Sequence, residues 1–237
     1  MVPNILWQVG EWLTPPVCPA CGSDLSIRSG GLCPECEGRL PSWPDRRCPG
    51  CGGANDSYLD LCRNCQSVYG GRPWRIAVSG YPYTGLVRRA VHGFKYRNQT
   101  YYLEFFASRM AQQWQQLAPG VELDAVTYVP LHWRRYLQRG YNQSQLLAEG
   151  LARHLGRPCR RLLARAHGTR PQATLNQEAR QRNLRGAFRV LRGDELTGLR
   201  LLLVDDVFTT GATLAEAATA LLKAGAAEVS VITAARD

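Results

Sequence analysis

Apolar and polar residues follow two different patterns along the 237-residue chain, and the change between them lies near residue 70. Beyond it, short apolar runs typical of buried strands alternate with longer stretches in which apolar residues recur every three or four positions. The run at 201–204 is apolar throughout, as a strand covered on both faces requires. The repeated order of strand and amphipathic helix predicts an α/β fold built on a parallel sheet.

The same patterns place the individual elements. Strands are predicted at 76–83, 124–129, 160–167, 187–191, 201–204 and 228–234. Helices are predicted at 84–96, 101–117 and 212–224, and from about 142 onward. Asn142 is a good N-cap for the last of these, with Gln145 three residues later, and a loop is expected before it. Near the N-terminus, apolar spacing predicts a short amphipathic helix from Ile5, Leu6, Val9, Trp12 and Leu13.

Eight of the nine cysteines occur in four Cys-x-x-Cys pairs within the first 65 residues. The pairs are Cys18/Cys21, Cys33/Cys36, Cys48/Cys51 and Cys62/Cys65, separated by 11, 11 and 10 residues. One pair can place two thiolates on a tetrahedral ion, and two pairs complete a Cys₄ site. The spacing predicts a double zinc ribbon over residues 1–70 with two structural zinc ions, each held by consecutive pairs. Interleaved pairing is the open alternative.

Two other uses of these cysteines are less consistent with the sequence. A disulfide framework suits a secreted protein, yet the N-terminus lacks a basic leader and a small-residue cleavage site. A redox Cys-x-x-Cys would require an associated βαβ pattern. Cys159 stands alone and is interpreted as a small apolar core residue. Since no stretch approaches the roughly eighteen apolar residues of a membrane span, we expect a cytoplasmic protein without one.

Charge is distributed unevenly between the two parts of the chain. The formal net charge is +10, but residues 1–70 carry 5 basic and 7 acidic side chains, while residues 71–237 carry 24 and 12. Within 130–200 there are 15 arginines and 4 acids. Such a segment attracts polyanions, unless its charges only solvate the surface. The stretch at 85–98 carries Arg88, Arg89, Lys95 and Arg97, which form either a basic face or, as we prefer, the solvated side of a helix.

The stretch LLLVDDVFTTGAT at 201–213 has the most specific chemistry. Two carboxylates, Asp205 and Asp206, follow a buried strand, and a hydroxyl-rich turn then opens a helix. Backbone N–H groups at a helix N-terminus, with a glycine for close approach, form a phosphate site. The turn consists of Thr209, Thr210, Gly211, Ala212 and Thr213. The neighbouring carboxylates suit sugar hydroxyls or a hydrated Mg²⁺, so we expect a ribose phosphate ligand.

This stretch resembles the PRPP-binding motif of type I phosphoribosyltransferases (PRPP is 5-phosphoribosyl 1-pyrophosphate). The resemblance implies that Asp205 and Asp206, as catalytic residues, contact the ribose hydroxyls and that residues 209–213 hold the 5-phosphate, with Mg²⁺ accompanying PRPP. A purely structural alternative is a strand, a turn and a helix capped by one of the acids.

The resemblance extends to two further segments. The loop after the strand at 124–129 would approach the pyrophosphate of PRPP, through Pro130, Leu131, His132, Arg134 and Arg135. His132 is either a general acid–base or a surface hydrogen-bonding residue. The polar stretch at 168–183 is long enough to be a lid that excludes water from PRPP. Its candidate contacts are Arg165, Arg170, Gln172, Arg182 and Asn183.

Three features together identify a narrower resemblance. They are the Cys₄ pairs, the sequence RGYNQ at 139–143, and a spaced pattern that precedes the acidic motif. The pattern consists of Arg165, Thr169, Gln172, Leu175, Arg182 and Asn183. The chain thereby resembles the ComF family of phosphoribosyltransferase-like proteins associated with natural competence and the use of external DNA. Tyr141 stands where that family commonly has phenylalanine.

The ComF resemblance implies a role in handling incoming single-stranded DNA. Candidate DNA contacts are Arg134, Arg135, Arg139 and Tyr141, which are interleaved with the aromatic residues Trp133 and Tyr136. Expected partners are a competence DNA-translocation helicase and recombination-mediator proteins. Two interpretations remain open: a DNA-handling protein that binds PRPP in a domain spanning 71–237, or an active phosphoribosyltransferase with an unidentified acceptor and no DNA role.

Overall fold

The computed structural model describes residues 18, 20–21, 23–24, 32–68, 70–96, 102–165, 186–191 and 195–237. The strands in this part are β1 (Ala77–Pro82), β2 (Ala125–Tyr128), β3 (Leu163–Arg165), β4 (Phe188–Val190), β5 (Arg200–Phe208) and β6 (Glu228–Arg236). The helices are α1 (Pro34–Gly38), α2 (Arg63–Gln66), α3 (Gly85–Tyr96), α4 (Tyr102–Leu117), α5 (Trp133–Arg139), α6 (Gln143–Leu155) and α7 (Ala212–Lys223). The N-terminal helix predicted from Ile5 to Leu13 lies outside the described residues.

Four strands form the parallel sheet that the sequence predicts. Their order is β1-β6-β5-β2, and every neighbouring pair is parallel. Side chains along the central strands alternate between two buried cores, as the two-residue period of a strand requires. Leu202 and Val204 of β5 face the core that contains α3, α4 and α6, while Leu201 and Leu203 face the core that contains α7. The parallel α/β prediction is confirmed.

Two local details differ from what the sequence suggested. The strand predicted at 160–167 is present as β3 within its described part, but it pairs antiparallel with β4 in a separate two-stranded sheet. Just before β3, an isolated parallel bridge joins Cys159 to Val126 of β2. The expected loop before Asn142 contains the helix α5, which begins after His132 and ends at Gly140 with a φ of 77°.

The caps of α5 and α6 explain this local structure. The imidazole Nδ1 of His132 accepts a hydrogen bond from the backbone N–H of Arg134 at 3.3 Å, so the histidine caps α5. Asn142 caps α6 as predicted, because its side chain accepts from the N–H of Ser144 at 3.1 Å. Gln145 takes no part in that cap, since its amide donates to Glu149 instead.

The Cys-rich segment packs on both faces of the sheet. Cys18, Cys33 and Cys36 belong to the core under α4, and Cys48, Cys51, Cys62 and Cys65 belong to the core under α7. Between the two clusters the segment covers the free side of the edge strand β1. Ala77 N–H donates to the Pro49 carbonyl at 2.7 Å, and Arg47 and Trp43 both donate to the carbonyl of Ser79. Covering an edge strand in this way prevents it from pairing with another chain.

No helix within the described ranges is long and apolar enough to cross a membrane.

Candidate functional site

The cysteines form two four-thiol clusters from consecutive pairs. Cys18, Cys21, Cys33 and Cys36 lie together, as do Cys48, Cys51, Cys62 and Cys65, with the sulfur atoms of each cluster within 4.8 Å of one another. The sequential pairing is therefore confirmed over interleaving. Backbone N–H groups donate to the sulfur atoms in both clusters. The N–H of Cys33 lies 3.4 Å from Cys18 Sγ, and the N–H of Cys62 lies 3.3 Å from Cys48 Sγ.

Both clusters fit a tetrahedral zinc ion. Zinc–thiolate bonds of about 2.3 Å place neighbouring sulfurs about 3.8 Å apart. The observed separations are 3.5 Å for Cys21–Cys33 and 3.7 Å for Cys51–Cys62. The crowded thiols also differ in acidity: hydrogen bonds from Cys48 and Cys65 lower the pKa of Cys51, while hydrogen bonds with Cys48 and Cys51 raise the pKa of Cys65. A divalent cation would allow all four sulfurs to be thiolates. The two Cys₄ sites are thus consistent with two structural zinc ions.

The two acids lie near the carboxyl end of β5 and have different partners. The Ser144 hydroxyl donates to Asp205 Oδ1 at 2.8 Å, and the backbone N–H of Asp206 donates to the same oxygen at 2.9 Å. The Lys95 ammonium lies 2.8 Å from Asp206 Oδ1. Asp206 therefore has a cation beside it, whereas Asp205 is stabilised mainly by neutral donors.

This environment changes two pKa values. Burial and the repulsion from Asp206 raise the pKa of Asp205 to about 7, although hydrogen bonding from Ser144 opposes the shift. Burial acts to lower the pKa of Lys95, but the attraction of Asp206 outweighs it and the net shift is upward. At neutral pH, Lys95 is therefore a fixed cation, and Asp205 is near the midpoint of its titration.

The threonine-rich turn forms a small hollow of about 30 Å³ at the N-terminus of α7. Gly211 has a φ of 78° and is the N-cap, so its conformation is one that L side chains rarely adopt. The Thr210 hydroxyl accepts the N–H of Ala212 at 3.3 Å. Thr209 and Thr213 line both the hollow and the larger cleft beside it. The local geometry is that of an anion site at a helix N-terminus.

Aromatic and cationic side chains support this turn from behind. The Phe208 ring lies edge-on to Trp74, with centroids 6.0 Å apart. The indole of Trp74 donates at 3.1 Å to the Gly50 carbonyl of the second Cys₄ ribbon, residues 48–65. The Arg72 guanidinium lies 5.7 Å from the Phe208 ring and donates to the Thr210 carbonyl at 3.0 Å. The second Cys₄ ribbon is thereby linked to the turn by direct packing.

A cleft of about 250 Å³ opens over the carboxyl ends of β5 and β2. Its charged lining residues are Asp205, Asp206, Lys95, Arg135, Arg139 and Arg165. The four cations outnumber the two acids, so the cleft suits a ligand that carries more than one negative charge. Carboxyl ends of parallel strands are the usual binding edge of an open α/β sheet.

The structure brings together most, but not all, of the residues predicted for this site. Pro130, Leu131 and Arg135 line the cleft, as do Arg139 and Arg165. His132 and Arg134 are not among the described residues that line it. His132 instead caps α5, and burial together with Arg165, Arg134 and Arg135 lowers its pKa. The remaining lid candidates, Arg170, Gln172, Arg182 and Asn183, lie outside the described residues.

The residues predicted to contact DNA separate into an exposed and a packed group. On α5, Trp133 is 60% and Tyr136 48% exposed, and Arg134 and Arg135 are exposed beside them. Tyr141 packs inward, because its hydroxyl donates to the Phe94 carbonyl and its ring lies 6.0 Å from that of Phe94. The aromatic rings available for stacking are therefore those of α5, and Tyr141 does not lie among them.

Four residues of the site were missed by sequence reasoning: Lys95, Ser144, Tyr83 and Arg72. Lys95 was interpreted as part of a solvated helix face, but it pairs with Asp206 in the cleft. Ser144 follows the predicted N-cap Asn142, and a buried serine in the first turn of a helix is a weak signal. All four residues come from segments that are distant in sequence from the acids and the threonine turn, so only the fold brings them to the site.

Two family models match the chain. A double zinc ribbon domain matches residues 9–66, and a phosphoribosyl transferase domain matches residues 142–237. Together with the parallel sheet and the Cys₄ clusters, these matches confirm the predicted fold: a phosphoribosyltransferase-type domain preceded by a double zinc ribbon.

Curated relatives match across most of the chain. DNA utilization protein YhgH of Salmonella typhimurium is 38% identical over 165 residues, which are 67% of this chain and 71% of that protein. Competence protein F of Haemophilus influenzae is 33% identical over 73% of this chain and 77% of that protein. Competence protein ComFC of Bacillus subtilis is 29% identical over 73% of this chain and 71% of that protein.

Solved structures match more weakly. Glutamine phosphoribosylpyrophosphate amidotransferase from B. subtilis is 28% identical over 54% of this chain and 25% of that chain, with a TM-score of 0.38. A hypoxanthine phosphoribosyltransferase from Staphylococcus aureus is 14% identical over 55% of this chain and 61% of that chain, with a TM-score of 0.34.

Proposed function

This chain belongs to the family of competence protein F and DNA utilization protein YhgH, and we propose that it binds PRPP or another 5-phosphoribosyl group and contacts single-stranded DNA in the use of external DNA. The observation that carries the ligand assignment is the meeting of Asp205, Asp206 and the Thr209–Thr213 turn in one cationic cleft. The relatives' names support a role in competence or DNA utilisation.

Each part of the cleft suits one part of the ligand. The turn offers backbone N–H groups and the positive end of the α7 dipole to a phosphate. The two carboxylates can accept hydrogen bonds from the ribose hydroxyls. Arg135, Arg139 and Arg165 line the same cleft, and their positive charges suit a pyrophosphate. Mg²⁺ would offset the remaining negative charge of PRPP, and oxygen donors such as carboxylates are the ligands that it prefers.

Calorimetry with PRPP, with and without Mg²⁺, tests the ligand assignment. Asp205→Asn and Asp206→Asn should each weaken binding, because a hydrogen bond to a charged group contributes about 1.5–3 kcal/mol. Thr210→Ala is the matched control, and it should weaken binding less because the backbone donors of the turn remain. Unchanged affinity in both aspartate variants would leave only a structural role for this strand end.

The DNA assignment rests on the exposed surface of α5. Trp133 and Tyr136 present rings to solvent, and Arg134 and Arg135 lie between them in sequence. A cationic track with aromatic platforms is how single strands are bound with little sequence preference. Since Arg135 also lines the cleft, the two proposed sites are adjacent.

Fluorescence anisotropy with a labelled oligothymidine at several salt concentrations tests this surface. We expect log affinity to fall with log salt by about 0.7 for each phosphate neutralised. Arg134→Ala/Arg135→Ala should reduce both the affinity and the slope, and Trp133→Ala/Tyr136→Ala should lose about 1–3 kcal/mol per stacked base. Arg153→Ala/Arg157→Ala makes the same charge change on exposed residues in the last turn of α6 and just beyond it, and should have a smaller effect. No binding at low salt would refute the assignment.

A second candidate function is phosphoribosyl transfer, favoured by the presence of both acids and of the whole threonine turn. A nitrogen acceptor would form a bond to C1 of the ribose as pyrophosphate leaves with the bonding electrons. The measurement is release of pyrophosphate from PRPP in the presence of nucleobases or single-stranded DNA. Binding of PRPP without any acceptor-dependent release would favour the DNA-handling function alone.

A further inference from the structure

The loop at 48–53, which carries two cysteines of the second Cys₄ ribbon, touches two side chains of the phosphoribosyltransferase-type domain. The carbonyl of Gly50 accepts a hydrogen bond from the Trp74 indole at 3.1 Å. A Cβ at Gly53 would lie 2.5 Å from Arg236 Cδ, so this arginine packs directly against the glycine backbone. The loop is closed on itself, because the N–H of its first residue donates to the carbonyl of its last at 2.8 Å. Its shape therefore decides where Trp74 and Arg236 can lie.

Both of these side chains contact Phe208, the residue just before the threonine turn (209–213). The Trp74 and Phe208 rings meet edge-on, and the guanidinium carbon of Arg236 lies 5.5 Å from the Phe208 ring centroid. Phe208 is buried in the same core as the four cysteines of the second ribbon. On its other side, the ring lies 2.6 Å from the place that a Cβ of Gly211 would occupy. A shift of the Phe208 ring therefore cannot leave the turn unchanged.

Arg72 adds a second connection to the turn. Its guanidinium lies 5.4 Å from the Trp74 ring and 5.7 Å from the Phe208 ring, and it donates to the Thr210 carbonyl at 3.0 Å. Its Nε is buried and has no hydrogen-bond partner among the described residues, which costs free energy. Arg72 is not one of the described residues that line the hollow or the cleft. It therefore acts on the backbone of the turn, not on a bound ligand.

The first Cys₄ cluster provides a comparison within the same chain. Its buried cysteines belong to the core under α4, and the described residues of that core include neither Trp74 nor Phe208. The two metal sites thus have the same ligands, but only the second one packs against the residues that support the turn.

We propose that the second Cys₄ ribbon positions the threonine turn, with Trp74, Arg236 and Arg72 as the positioning residues between them. The inference rests on the proposed function and adds a regulation of that site, because metal occupancy of the second ribbon then sets the affinity of the turn for a phosphate group. Backbone N–H groups bind an anion best when they already point at one place, since ordering them on binding costs free energy.

Hydrogen exchange of the zinc-loaded full chain, followed by mass spectrometry, tests the proposal without any ligand. Cys48→Ser removes a ligand of the second metal site, and exchange of the turn amides should become about tenfold faster. Cys18→Ser removes a ligand of the first site and should leave those amides within about twofold of the wild type. Leu196→Ala is a second control, because Leu196 is buried in the core of Phe208 but precedes β5, whereas the turn follows it. It should lower the melting temperature without faster exchange of the turn.

Variants of Arg72 test the contact while leaving every metal ligand in place. Arg72→Met should keep both zinc ions, but it should speed exchange of the turn and weaken PRPP binding by about tenfold. Arg72→Lys keeps a donor for the Thr210 carbonyl and should recover most of both. A merely structural role of Arg72 would lower the melting temperature without changing the exchange of the turn or the affinity for PRPP, and that result would count against the proposal.

Reciprocity supplies an independent measurement, because two coupled sites change each other's affinity by the same factor. PRPP with Mg²⁺ should raise the zinc affinity of one site by about tenfold, measured by competition with a chelator, and should leave the other site unchanged. In Asp205→Asn, which should bind PRPP weakly, the same PRPP concentration should give a smaller increase.

The outcomes separate the positioning role from the proposed ligand. Failure of PRPP binding, with faster exchange of the turn retained in Cys48→Ser and Arg72→Met, would count against PRPP and still support the positioning role. Equal exchange of the turn in these variants and the wild type would overturn it. So would equally fast exchange in Cys18→Ser or Leu196→Ala, because the turn would then respond to any loss of stability.

Discussion

The ammonium group of Lys95 lies 2.8 Å from a carboxylate oxygen of Asp206, although the two residues come from distant segments, the end of α3 and the end of β5. Both side chains are at most 20% exposed, so the pair is weakly screened by water. The cation offsets part of the repulsion between the adjacent acids and leaves Asp205, further from it, with the raised pKa. Lys95 thereby offsets part of the negative charge of the two acids, while burial and the repulsion from Asp206 raise the pKa of Asp205.

Replacing this lysine should destabilise the protein in a pH-dependent way. Lys95→Met removes the partner of Asp206, and we expect a loss of about 1.5–3 kcal/mol of unfolding free energy at pH 8. The loss should be smaller at pH 5, because Asp205, with its raised pKa, is then protonated and the acid pair carries less negative charge. Urea denaturation at the two pH values is the measurement. Lys95→Arg keeps the charge and should recover most of the stability; equal losses in both variants would point to packing instead.

The raised pKa of Asp205 predicts how stability without ligand depends on pH. Between about pH 4 and pH 7 the folded protein holds a proton that the unfolded chain has released, so stability should fall as pH rises through this window. Asp205→Asn cannot titrate, and it should be more stable than wild type at pH 8 by about 1–2 kcal/mol, while binding PRPP more weakly. Thermal unfolding at pH 5 and pH 8 tests this. A variant that is less stable at pH 8 would contradict the assigned burial of negative charge.

Gly211→Ala should damage the phosphate turn through two separable effects. A Cβ at Gly211 would lie 2.6 Å from the Phe208 ring and 2.9 Å from the Arg72 guanidinium, and the φ of 78° adds backbone strain. Gly198→Ala is a matched control, because Gly198 has the same φ and a Cβ there would meet no other atom within 4 Å. The control should lose about 1–2 kcal/mol from strain alone. Gly211→Ala should lose more, together with PRPP affinity; equal losses in the two variants would show that the turn adjusts.

Metal analysis should find two zinc ions per chain after preparation under reducing conditions. Cys48→Ser should lower this to one and should lower the melting temperature, because the second cluster shares a core with Trp74 and Phe208. Cys159→Ser is the control, since Cys159 belongs to neither cluster and should leave both ions in place. One ion or none in the wild type would refute the double ribbon.

Some features could be predicted from the sequence because they depend on local spacing. Each of these features is recognised from residues that are close together in the sequence. They are the two-residue gaps of the Cys-x-x-Cys pairs, the apolar run before Asp205 and the N-cap at Asn142. The parallel sheet followed from the repeated order of strand and helix. The prediction that the two acids and the threonine turn form a ligand site likewise used only neighbouring residues.

Local spacing was misleading where two structures satisfy the same pattern. Residues 133–139 are rich in arginine and are followed by a glycine, which suits a loop as well as the short helix α5 that forms. Tyr141 follows the arginine-rich helix α5 in sequence, but the direction of its side chain is decided by the space beside Phe94.

The sequence by itself determined most of the strands and helices, the cysteines of the two clusters and the acidic and hydroxyl-rich residues near the end of β5, because each is encoded within a few neighbouring residues. Only the tertiary structure decided which distant residues meet there. Lys95 reaches Asp206, Ser144 reaches Asp205, and Arg72 supports the Thr210 carbonyl because the order of the strands and the packing of α3 and α6 bring them to one edge. The position of the second ribbon against β1 was decided in the same way. Such contacts depend on how whole helices and strands pack, and the spacing of apolar residues along the chain does not reveal them.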